Sequence, residues 1–286
     1  MKKYLKLMRV HHWIKNILVI TPIVFSGQLF DINILKKGFL GVLSFSLVSS
    51  LIYIINDMQD VEKDRRHPTK CKRPLASGDI SIKNAKIMIA IILCSVIIFG
   101  VYMTVNWNIS IFANVYLLIY FILNIGYSMG LKNKAIIDIV ILVSGFLLRV
   151  LYGSVITNIG ISDWLYLTVI AGAFFFALGK RRNELALKGD TREVLKYYNK
   201  DFLDKNMYVC LALLNVFYAL WSRDNLHSDN MIWTVPIVLV ICMRYSMDVE
   251  GDSDGDPVEV LVKDKILLGL CAVYALMMFA FIYMPL

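Results

Sequence analysis

Stretches of about twenty apolar residues recur along most of this 286-residue chain, and no other feature of the sequence limits its fold so strongly. Hydrophobic residues make up 58% of the chain, and its mean hydropathy is +0.63. A helix of about twenty residues crosses the ~30 Å hydrocarbon core of a bilayer and satisfies its own backbone hydrogen bonds. The sequence therefore predicts an all-α integral membrane protein.

Nine of these stretches are long enough to be transmembrane helices, and we expect them to form one transmembrane domain over residues 1–286. The basic residues before the first stretch are not followed by a small-residue cleavage site, which favours a retained helix over a signal peptide. The nine predicted spans cover approximately residues 13–30, 37–56, 85–105, 109–130, 135–157, 162–180, 206–222, 230–247 and 264–285.

The lysines and arginines are unevenly distributed between the loops. Of the 30, 26 fall at the N-terminus or in every second loop. Because cytoplasmic loops carry the excess of Lys and Arg, this pattern places the N-terminus and the long loops after spans two and six in the cytoplasm, and the C-terminus outside. It also explains the net charge of +8 without nucleic acid as a partner. We expect a multi-pass protein of the cell, or inner, membrane with its active site on the cytoplasmic side.

An aspartate-rich segment follows the second span. Residues 56–78 are N-D-M-Q-D-V-E-K-D-R-R-H-P-T-K-C-K-R-P-L-A-S-G. On a helix, Asp57, Asp60 and Asp64 have the spacing i, i+3, i+7 and share one face. Carboxylates stacked in this way repel unless a hard cation lies between them, and Mg²⁺ bound by a few carboxylates completes its coordination with substrate phosphates. The three aspartates, supported by Asn56, are therefore candidate catalytic and metal-binding residues.

Positive charge follows the aspartates at once, so a metal and fixed cations would face the same anionic, diphosphate-bearing ligand. A solvated, mixed-charge loop between spans is the alternative interpretation. Polar residues of two other loops lie at the same predicted boundary. The cations of the segment are Lys63, Arg65, Arg66, Lys70, Lys72 and Arg73, and the other loops contribute Tyr127, Lys132, Lys180, Arg181 and Glu184.

Polar residues inside the spans are costly. Arg149 lies in the fifth span, after Asp138 and on nearly the same helix face. A mid-span arginine costs at least ~2.5 kcal/mol on insertion scales, so Arg149 must have a partner. It either forms a buried pair that fixes helix packing or lines a substrate cavity. Lys15 and Asn16, near the inner end of the first span, are either a membrane anchor or a phosphate contact, and taken alone the anchor is favoured.

The last loops carry weaker signals. Arg244 and Asp248 are spaced i, i+4 and predict a local ion pair. The acidic segment around residues 248–259 resembles a calcium-binding loop only superficially, because the spacing of such a loop is missing. The five cysteines and four histidines lack metal-ligand spacing, so we expect free thiols and give no histidine a metal role.

Several motifs spread over almost the whole chain resemble those of one family. The chain is similar to the UbiA superfamily of intramembrane prenyltransferases and, within it, more closely resembles the decaprenyl-phosphate phosphoribosyltransferases. The motifs are W-I-K-N at 13–16, N-D-x-x-D-x-x-x-D at 56–64 with its extension H-P-T-K-x-x-R-P, G-L-K at 130–132, F-L-L-R at 146–149, G-K-R-R-N-E-L at 179–185 and R-Y-S-M-D-V at 244–249.

One departure favours the phosphoribosyltransferase group. Superfamily members that prenylate an aromatic acceptor carry a second aspartate motif in the loop after span six, where this chain has K-R-R-N-E. Cations in that place suit a donor with an additional phosphate. The resemblance implies a nine-helix UbiA-type bundle that uses Mg²⁺, 5-phosphoribosyl 1-pyrophosphate as donor and a polyprenyl phosphate as acceptor, for cell-envelope polysaccharide synthesis.

The resemblance also implies roles for the candidate residues. Asp57, Asp60 and Asp64, with Asn56, would hold Mg²⁺ on the leaving diphosphate. The donor-phosphate site would comprise Lys180, Arg181, Lys132, Tyr127, Arg73 and Glu184, with Glu184 either binding metal or orienting Arg181. The lipid phosphate would be bound by Lys15, Asn16, Arg66 and Lys70, although Arg66, Lys70 and Arg73 could serve either the donor diphosphate or the lipid phosphate.

Two alternatives stay open at this point. One is a UbiA-type enzyme that moves a polyprenyl group from its diphosphate to an aromatic acceptor, and the other is a non-enzymatic lipid transporter. The sequence leaves open the prenyl chain length, the number of Mg²⁺ ions and the formation of a homo-oligomer.

Overall fold

The computed structural model describes residues 2–107, 109–186, 192–224, 229–251 and 257–284, and these residues form helices joined by short connections. The all-α prediction is confirmed for this part of the chain. The α-helices are α1 Lys2–Leu7, α2 Thr21–Phe25, α3 Ile32–Gln59, α4 Val61–Arg65, α5 Ile82–Trp107, α6 Phe112–Ser128, α7 Ile137–Thr157, α8 Asp163–Ala186, α9 Lys200–Arg223, α10 Val235–Glu250, α11 Pro257–Lys263 and α12 Lys265–Tyr283. Short 3₁₀ helices cover Val10–Ile20, Lys70–Lys72, Leu131–Asn133, Glu193–Tyr197 and Asp229–Thr234.

Each of the nine predicted spans contains helix, but six helices in the described ranges are long and apolar enough to cross a bilayer. The first predicted span differs most, since a 3₁₀ helix there gives way to the short helix α2, with Pro22 in its first turn. The six are Ile32–Gln59, Ile82–Trp107, Ile137–Thr157, Asp163–Ala186, Asp229–Glu250 and Lys265–Tyr283, and shorter apolar helices cover Val10–Phe25 and Phe112–Ser128.

The chain forms two compact units. Unit 1 comprises Met1–Val24, Gln28–Met129 and Leu148–Gly160, and unit 2 comprises Phe25–Gly27, Gly130–Leu147 and Ile161–Leu286.

In unit 1, helix α3 packs against α5, α6 and the first 3₁₀ helix. A further contact of unit 1, between α7 and the first 3₁₀ helix, depends on glycine, because a Cβ atom at Gly153 would collide with the Val19 carbonyl oxygen. Small residues allow membrane helices to approach closely in this way.

Arg149 is buried in the interior of unit 1 and is bound by polar and aromatic groups. Its Nε donates to Oδ1 of Asn16 over 2.8 Å, and a terminal nitrogen donates to the Tyr120 hydroxyl over 3.0 Å. The guanidinium also lies over the rings of Phe45 and Tyr120, 4.9 and 5.0 Å from their centroids. Asn16, itself only 1% exposed, donates to Ser46 Oγ over 2.9 Å. These contacts support the interpretation of Arg149 as a residue that fixes helix packing.

In unit 2, helix α8 packs against α9, and one buried cluster includes Phe175 of α8 with Leu203 and Met207 of α9. At its α10–α12 side, Arg244 Nε contacts Asp264 Oδ2 over 2.5 Å, and Asp248 lies 4.0 Å from the same guanidinium. Arg244 therefore pairs with Asp264, the N-cap residue of α12, in addition to the predicted partner Asp248. The Arg244 guanidinium lowers the pKa of Asp264 to about 2.

The cysteines Cys71, Cys94, Cys210, Cys242 and Cys271 are free thiols, as expected. Residues 252–256 of the acidic segment and His227 lie outside the described residues.

We predict that Asn16→Ala lowers the free energy of unfolding by roughly 1.5–3 kcal/mol, because it removes an acceptor from a buried guanidinium. Thermal unfolding of the purified protein in detergent would measure the change. Lys15→Ala, at the neighbouring half-buried position, serves as the control and should have a smaller effect. An Asn16→Ala protein of unchanged stability that loses only its affinity for a lipid phosphate would contradict this packing role.

Candidate active site

The aspartate-rich segment is nearly helical but interrupted. Helix α3 ends at Gln59, and Asp60 is its C-cap with φ −94° and ψ 6°, after which α4 begins at Val61. Backbone hydrogen bonds from Asp60 N to Asn56 O and from Asp64 N to Asp60 O continue the helical hydrogen-bond pattern across this break. Within the described ranges, no three His, Cys, Asp or Glu side chains are grouped closely enough to hold a metal ion. The three aspartates thus do not converge in the way that one continuous helix predicts.

Two of the aspartates are instead joined by an arginine. Arg73 Nη1 lies 2.7 Å from Asp64 Oδ2 and 3.2 Å from Asp57 Oδ1. Asp57 and Asp64 are each only 3% exposed, and a buried carboxylate requires a countercharge. The guanidinium of Arg73 therefore bridges the pair of acids that the sequence assigned to a metal.

Arg9 is a further member of this cluster that the sequence analysis missed. Its Nη2 donates to Asp57 Oδ1 over 2.5 Å, and its guanidinium lies 4.7 Å from the centroid of the Tyr53 ring. The backbone of Arg9 has φ 51°, a left-handed conformation that is uncommon for a non-glycine residue. In the sequence, the only indication of a role for Arg9 was its position shortly before the W-I-K-N motif. Its contact with Asp57 is apparent only from the fold.

The N-terminal segment that carries Arg9 is attached to the rest of unit 1 by several contacts. Lys6 Nζ donates to the Lys72 carbonyl over 2.9 Å, and Ser50 Oγ donates to the Met8 carbonyl over 2.9 Å. Lys3 forms an ion pair with Asp79 over 2.6 Å, which lowers the pKa of that exposed carboxyl. Arg9 is thus held near Asp57 by contacts of the residues that precede it in the chain.

The residues of this cluster fit a hard cation. Asn56 Oδ1 is buried and has no hydrogen-bond partner, and it neighbours Asp57 in the chain. A buried polar atom without a partner is uncommon and calls for an explanation such as an ion or a ligand. Carboxylate and amide oxygens are the ligands that Mg²⁺ prefers. Asn56, Asp57 and Asp64 are therefore chemically suited to hold magnesium, with Asp60 half-exposed beside them.

The residues predicted to bind the lipid phosphate do not form one group in the structure. Arg66 is exposed and Lys70 half-buried in the loop after α4, where His67 Nδ1 accepts from the backbone N–H groups of Thr69 and Lys70. Asn16 is bonded to Ser46, eleven residues before Asp57 on α3, or ~16 Å along the helix axis. The structure does not bring Asn16 to the aspartates.

The second predicted cluster lies in unit 2. Arg181 is fully buried. Its Nε donates to Asp138 Oδ2 over 2.6 Å, and its Nη1 donates to Glu184 Oε2 over 2.5 Å. Asp138 is also fully buried. The structure therefore brings together three predicted residues, and it places Arg181 in an ion-pair network at the end of α8.

Arg182 follows Arg181 in the motif but binds other partners. Arg182, which was not a candidate, binds Asp204 over 2.6 Å and the Val249 carbonyl over 3.0 Å. Lys180 is half-buried on α8, and Lys132 is half-buried in the 3₁₀ turn Leu131–Asn133 of the same unit. Tyr127 belongs to unit 1, at the end of α6, and is also half-buried.

Tyr198 is another residue of this cluster that the sequence analysis missed. Its hydroxyl donates to Asp138 Oδ1 over 2.6 Å and accepts from the backbone N–H of Ile136 over 2.6 Å. Burial and the Asp138 carboxylate raise the pKa of Tyr198 to about 12. The hydroxyl therefore stays protonated, and able to donate, throughout the physiological pH range.

Comparisons with known proteins agree with these features. The model of the UbiA prenyltransferase family matches residues 18–196. The chain is 33% identical to the decaprenyl-phosphate phosphoribosyltransferase of Mycolicibacterium smegmatis, over 92% of this chain and 87% of that protein. It is 32% identical to the enzyme of the same name from Corynebacterium glutamicum, over 97% of this chain and 86% of that protein.

A solved structure has the same fold. The UbiA homolog from Archaeoglobus fulgidus bound to DMAPP and Mg²⁺ superposes with a TM-score of 0.72 at 19% identity, over 99% of this chain and all of the other. The resemblance inferred from the motifs is thereby confirmed, because the family model covers more than half of the chain and relatives above 30% identity cover about nine-tenths of it. The chain belongs to the UbiA prenyltransferase family.

Proposed function

We propose that this protein transfers 5-phosphoribose from 5-phosphoribosyl 1-pyrophosphate to a polyprenyl phosphate and releases pyrophosphate. The observation that carries the proposal is the similarity, over about nine-tenths of the chain, to proteins named decaprenyl-phosphate phosphoribosyltransferase. The buried acid–guanidinium cluster of Asp57, Asp64, Arg73 and Arg9 supplies chemistry that suits a diphosphate leaving group.

We place the reaction in the cell, or inner, membrane, at the cytoplasmic side of a nine-span bundle with a cytoplasmic N-terminus. The distribution of basic residues supports this orientation. The product would serve cell-envelope polysaccharide synthesis.

The cluster of unit 1 would act on the leaving group. Asn56, Asp57 and Asp64, with Asp60, would hold Mg²⁺, which when bound supplies Lewis-acid stabilisation of the leaving diphosphate. Arg9 and Arg73 would donate charge-assisted hydrogen bonds to the same diphosphate oxygens, whose negative charge grows as the C1–O bond breaks. Both guanidinium groups already lie beside the acids that would hold the metal.

The acceptor requires little activation. A phosphate monoester has a second pKa near ~6 and is therefore largely ionised at neutral pH. Ribose supports positive charge at C1 as the leaving group departs, as in other glycosyl transfers. Attack from the face opposite the diphosphate would invert the anomeric centre, without a strong general base. Arg66, Lys70 and Lys15 are the candidates for the lipid phosphate.

The family resemblance assigns the 5-phosphate of the donor to cations of the G-L-K and G-K-R-R-N-E-L motifs. Lys180 and Lys132 are assigned to direct contact. Arg181 is bonded to Asp138 and Glu184, so we assign it to holding the end of α8. Tyr127 remains a candidate for the donor phosphates.

We predict that the purified protein with Mg²⁺ converts labelled 5-phosphoribosyl 1-pyrophosphate and a polyprenyl phosphate into a labelled lipid. Asp57→Asn and Asp64→Asn should each reduce turnover by about a hundredfold or more, because each removes a carboxylate that would hold Mg²⁺ on the leaving diphosphate. Glu62→Gln, an exposed acid of the same segment, is the matched control and should retain activity. Turnover of a prenyl diphosphate with 4-hydroxybenzoate instead would identify an aromatic prenyltransferase and contradict the proposal.

A second prediction concerns the bridge between the acids. Arg73→Gln removes the cation that neutralises Asp57 and Asp64, so Mn²⁺ binding without donor should tighten by about tenfold, while the KM for the donor rises. Electron paramagnetic resonance of added Mn²⁺ would measure the free ion, and Arg65→Gln, which removes an exposed arginine paired with Glu62, is the control. Weaker Mn²⁺ binding in the Arg73→Gln protein would show that Arg73 only holds the acids in place.

A third prediction concerns the additional phosphate of the donor. Lys180→Ala should raise the KM for 5-phosphoribosyl 1-pyrophosphate by about ten- to a hundredfold, since a charge-assisted hydrogen bond contributes roughly 1.5–3 kcal/mol. Inhibition by free pyrophosphate, which lacks the 5-phosphate, should change little. Lys205→Ala, at an exposed position of α9, is the control. Equal weakening of both ligands would place Lys180 at the leaving group.

A further inference from the structure

The loop that carries Lys132 is held in a strained conformation. Gly130 has φ 130°, which glycine adopts without cost, and Ile136 has φ 69°. The left-handed region is unfavourable for a β-branched residue, and such a conformation persists only where the surroundings determine it. Some contact must therefore hold the loop between residues 130 and 136.

Two side-chain hydrogen bonds attach this loop to the segment Glu193–Tyr198. The Tyr198 hydroxyl accepts from the backbone N–H of Ile136 over 2.6 Å, at the strained residue itself. Asn133 Nδ2 donates to Glu193 Oε2 over 2.9 Å, beside Lys132. The turn is thus fixed at two points.

The attached segment is itself well anchored. Val194 and Leu195 are 0% and 3% exposed and belong to the same buried cluster as Phe175 of α8. The ring of Tyr198 stacks on Phe202, with 6.0 Å between centroids. The hydroxyl of Tyr198 therefore projects from a rigid support.

The same hydroxyl reaches the helix that carries Lys180. It donates to Asp138 Oδ1, while Asp138 Oδ2 accepts from Arg181, the residue after Lys180 on α8. One hydroxyl thus connects the backbone of the Lys132 loop, through a fully buried carboxylate, to the end of α8.

We propose that Tyr198 is a positioning residue of the donor-phosphate site, whose hydroxyl fixes Lys132 relative to Lys180. The identity of the ligand rests on the proposed function, but the positioning itself does not. Tyr198 does not contact the donor in this proposal and acts only through Lys132.

The positioning is tested without substrate by hydrogen–deuterium exchange. Tyr198→Phe should increase the exchange rate of the amides in residues 131–136 at least tenfold. Tyr197→Phe makes the same chemical change at an exposed neighbouring residue and should leave the exchange unchanged. Unchanged exchange in the Tyr198→Phe protein would overturn the proposal, even if the wild-type protein does not use 5-phosphoribosyl 1-pyrophosphate.

The link to the donor is tested by a double-mutant cycle on KM for 5-phosphoribosyl 1-pyrophosphate. Tyr198→Phe should raise KM by about tenfold and change kcat by less than about threefold, because ground-state and transition-state binding are weakened equally. If Tyr198 acts through Lys132, Tyr198→Phe combined with Lys132→Ala should be no worse than Lys132→Ala alone. Multiplicative effects, or an equal fall in kcat, would overturn the proposal.

A rescue variant separates positioning from a general loss of stability. Ile136→Gly permits the left-handed conformation without strain, so in the Tyr198→Phe background it should restore KM at least threefold toward the wild-type value. A further increase in KM in that background would contradict the proposed origin of the effect in the strained loop.

Discussion

The cost of burying charge among apolar helices is the constraint on which both units depend. A guanidinium or a carboxylate in a membrane-spanning bundle must be paired and hydrogen-bonded, because the charge left without partners costs several kcal/mol. Arg149 meets this requirement with an amide, a phenol and two aromatic faces, and Arg181 with two carboxylates. Each of these networks joins helices that are distant in sequence, so the same bonds that neutralise the charge also fix the packing.

The aspartate cluster shows how this constraint prepares a site for an anionic substrate. Asp57 and Asp64 are kept close by Arg73, whose planar guanidinium contacts both carboxylates. Arginine is always charged and presents several donors in a fixed geometry, so it can contact a carboxylate and a phosphate oxygen equally well. Arg9 adds a second guanidinium from the N-terminal segment. The cations that neutralise the buried acids of this cluster are thus of the type required for binding a diphosphate.

The helices and the family could be predicted from the sequence because both depend on local sequence patterns. Long apolar runs determine helices, and the spacing of Asp57, Asp60 and Asp64 identifies the motif. The break at Asp60 was not accessible, since a C-cap depends on how the following loop packs. Arg9, Asp264 and Tyr198 were missed because each acts on a residue 20 or more positions away, and periodicity contains no information about such contacts.

Asn16 illustrates the same limit in a different way. The sequence showed that a polar residue lies near the inner end of the first span, and it offered a phosphate contact or an anchor as explanations. The structure places Asn16 against Arg149 and Ser46 in the interior of unit 1. The cost of a buried polar group can be estimated from sequence, but its partner is determined by the tertiary fold.

The K-R-R-N-E segment bears on how this branch of the family distinguishes its substrate. Counted along the sequence, the segment carries three cations, but Arg181 binds Asp138 and Glu184, and Arg182 binds Asp204. The formal charge of this region of unit 2 is therefore close to balanced, and a general positive field is a poor explanation for the binding of an additional phosphate. Selectivity must then depend on the placement of a few donors, Lys180 and Lys132 in our proposal. For such a site the bonds that orient the lysines matter as much as the lysines themselves, because a short-range hydrogen bond is lost with a displacement of about 1 Å.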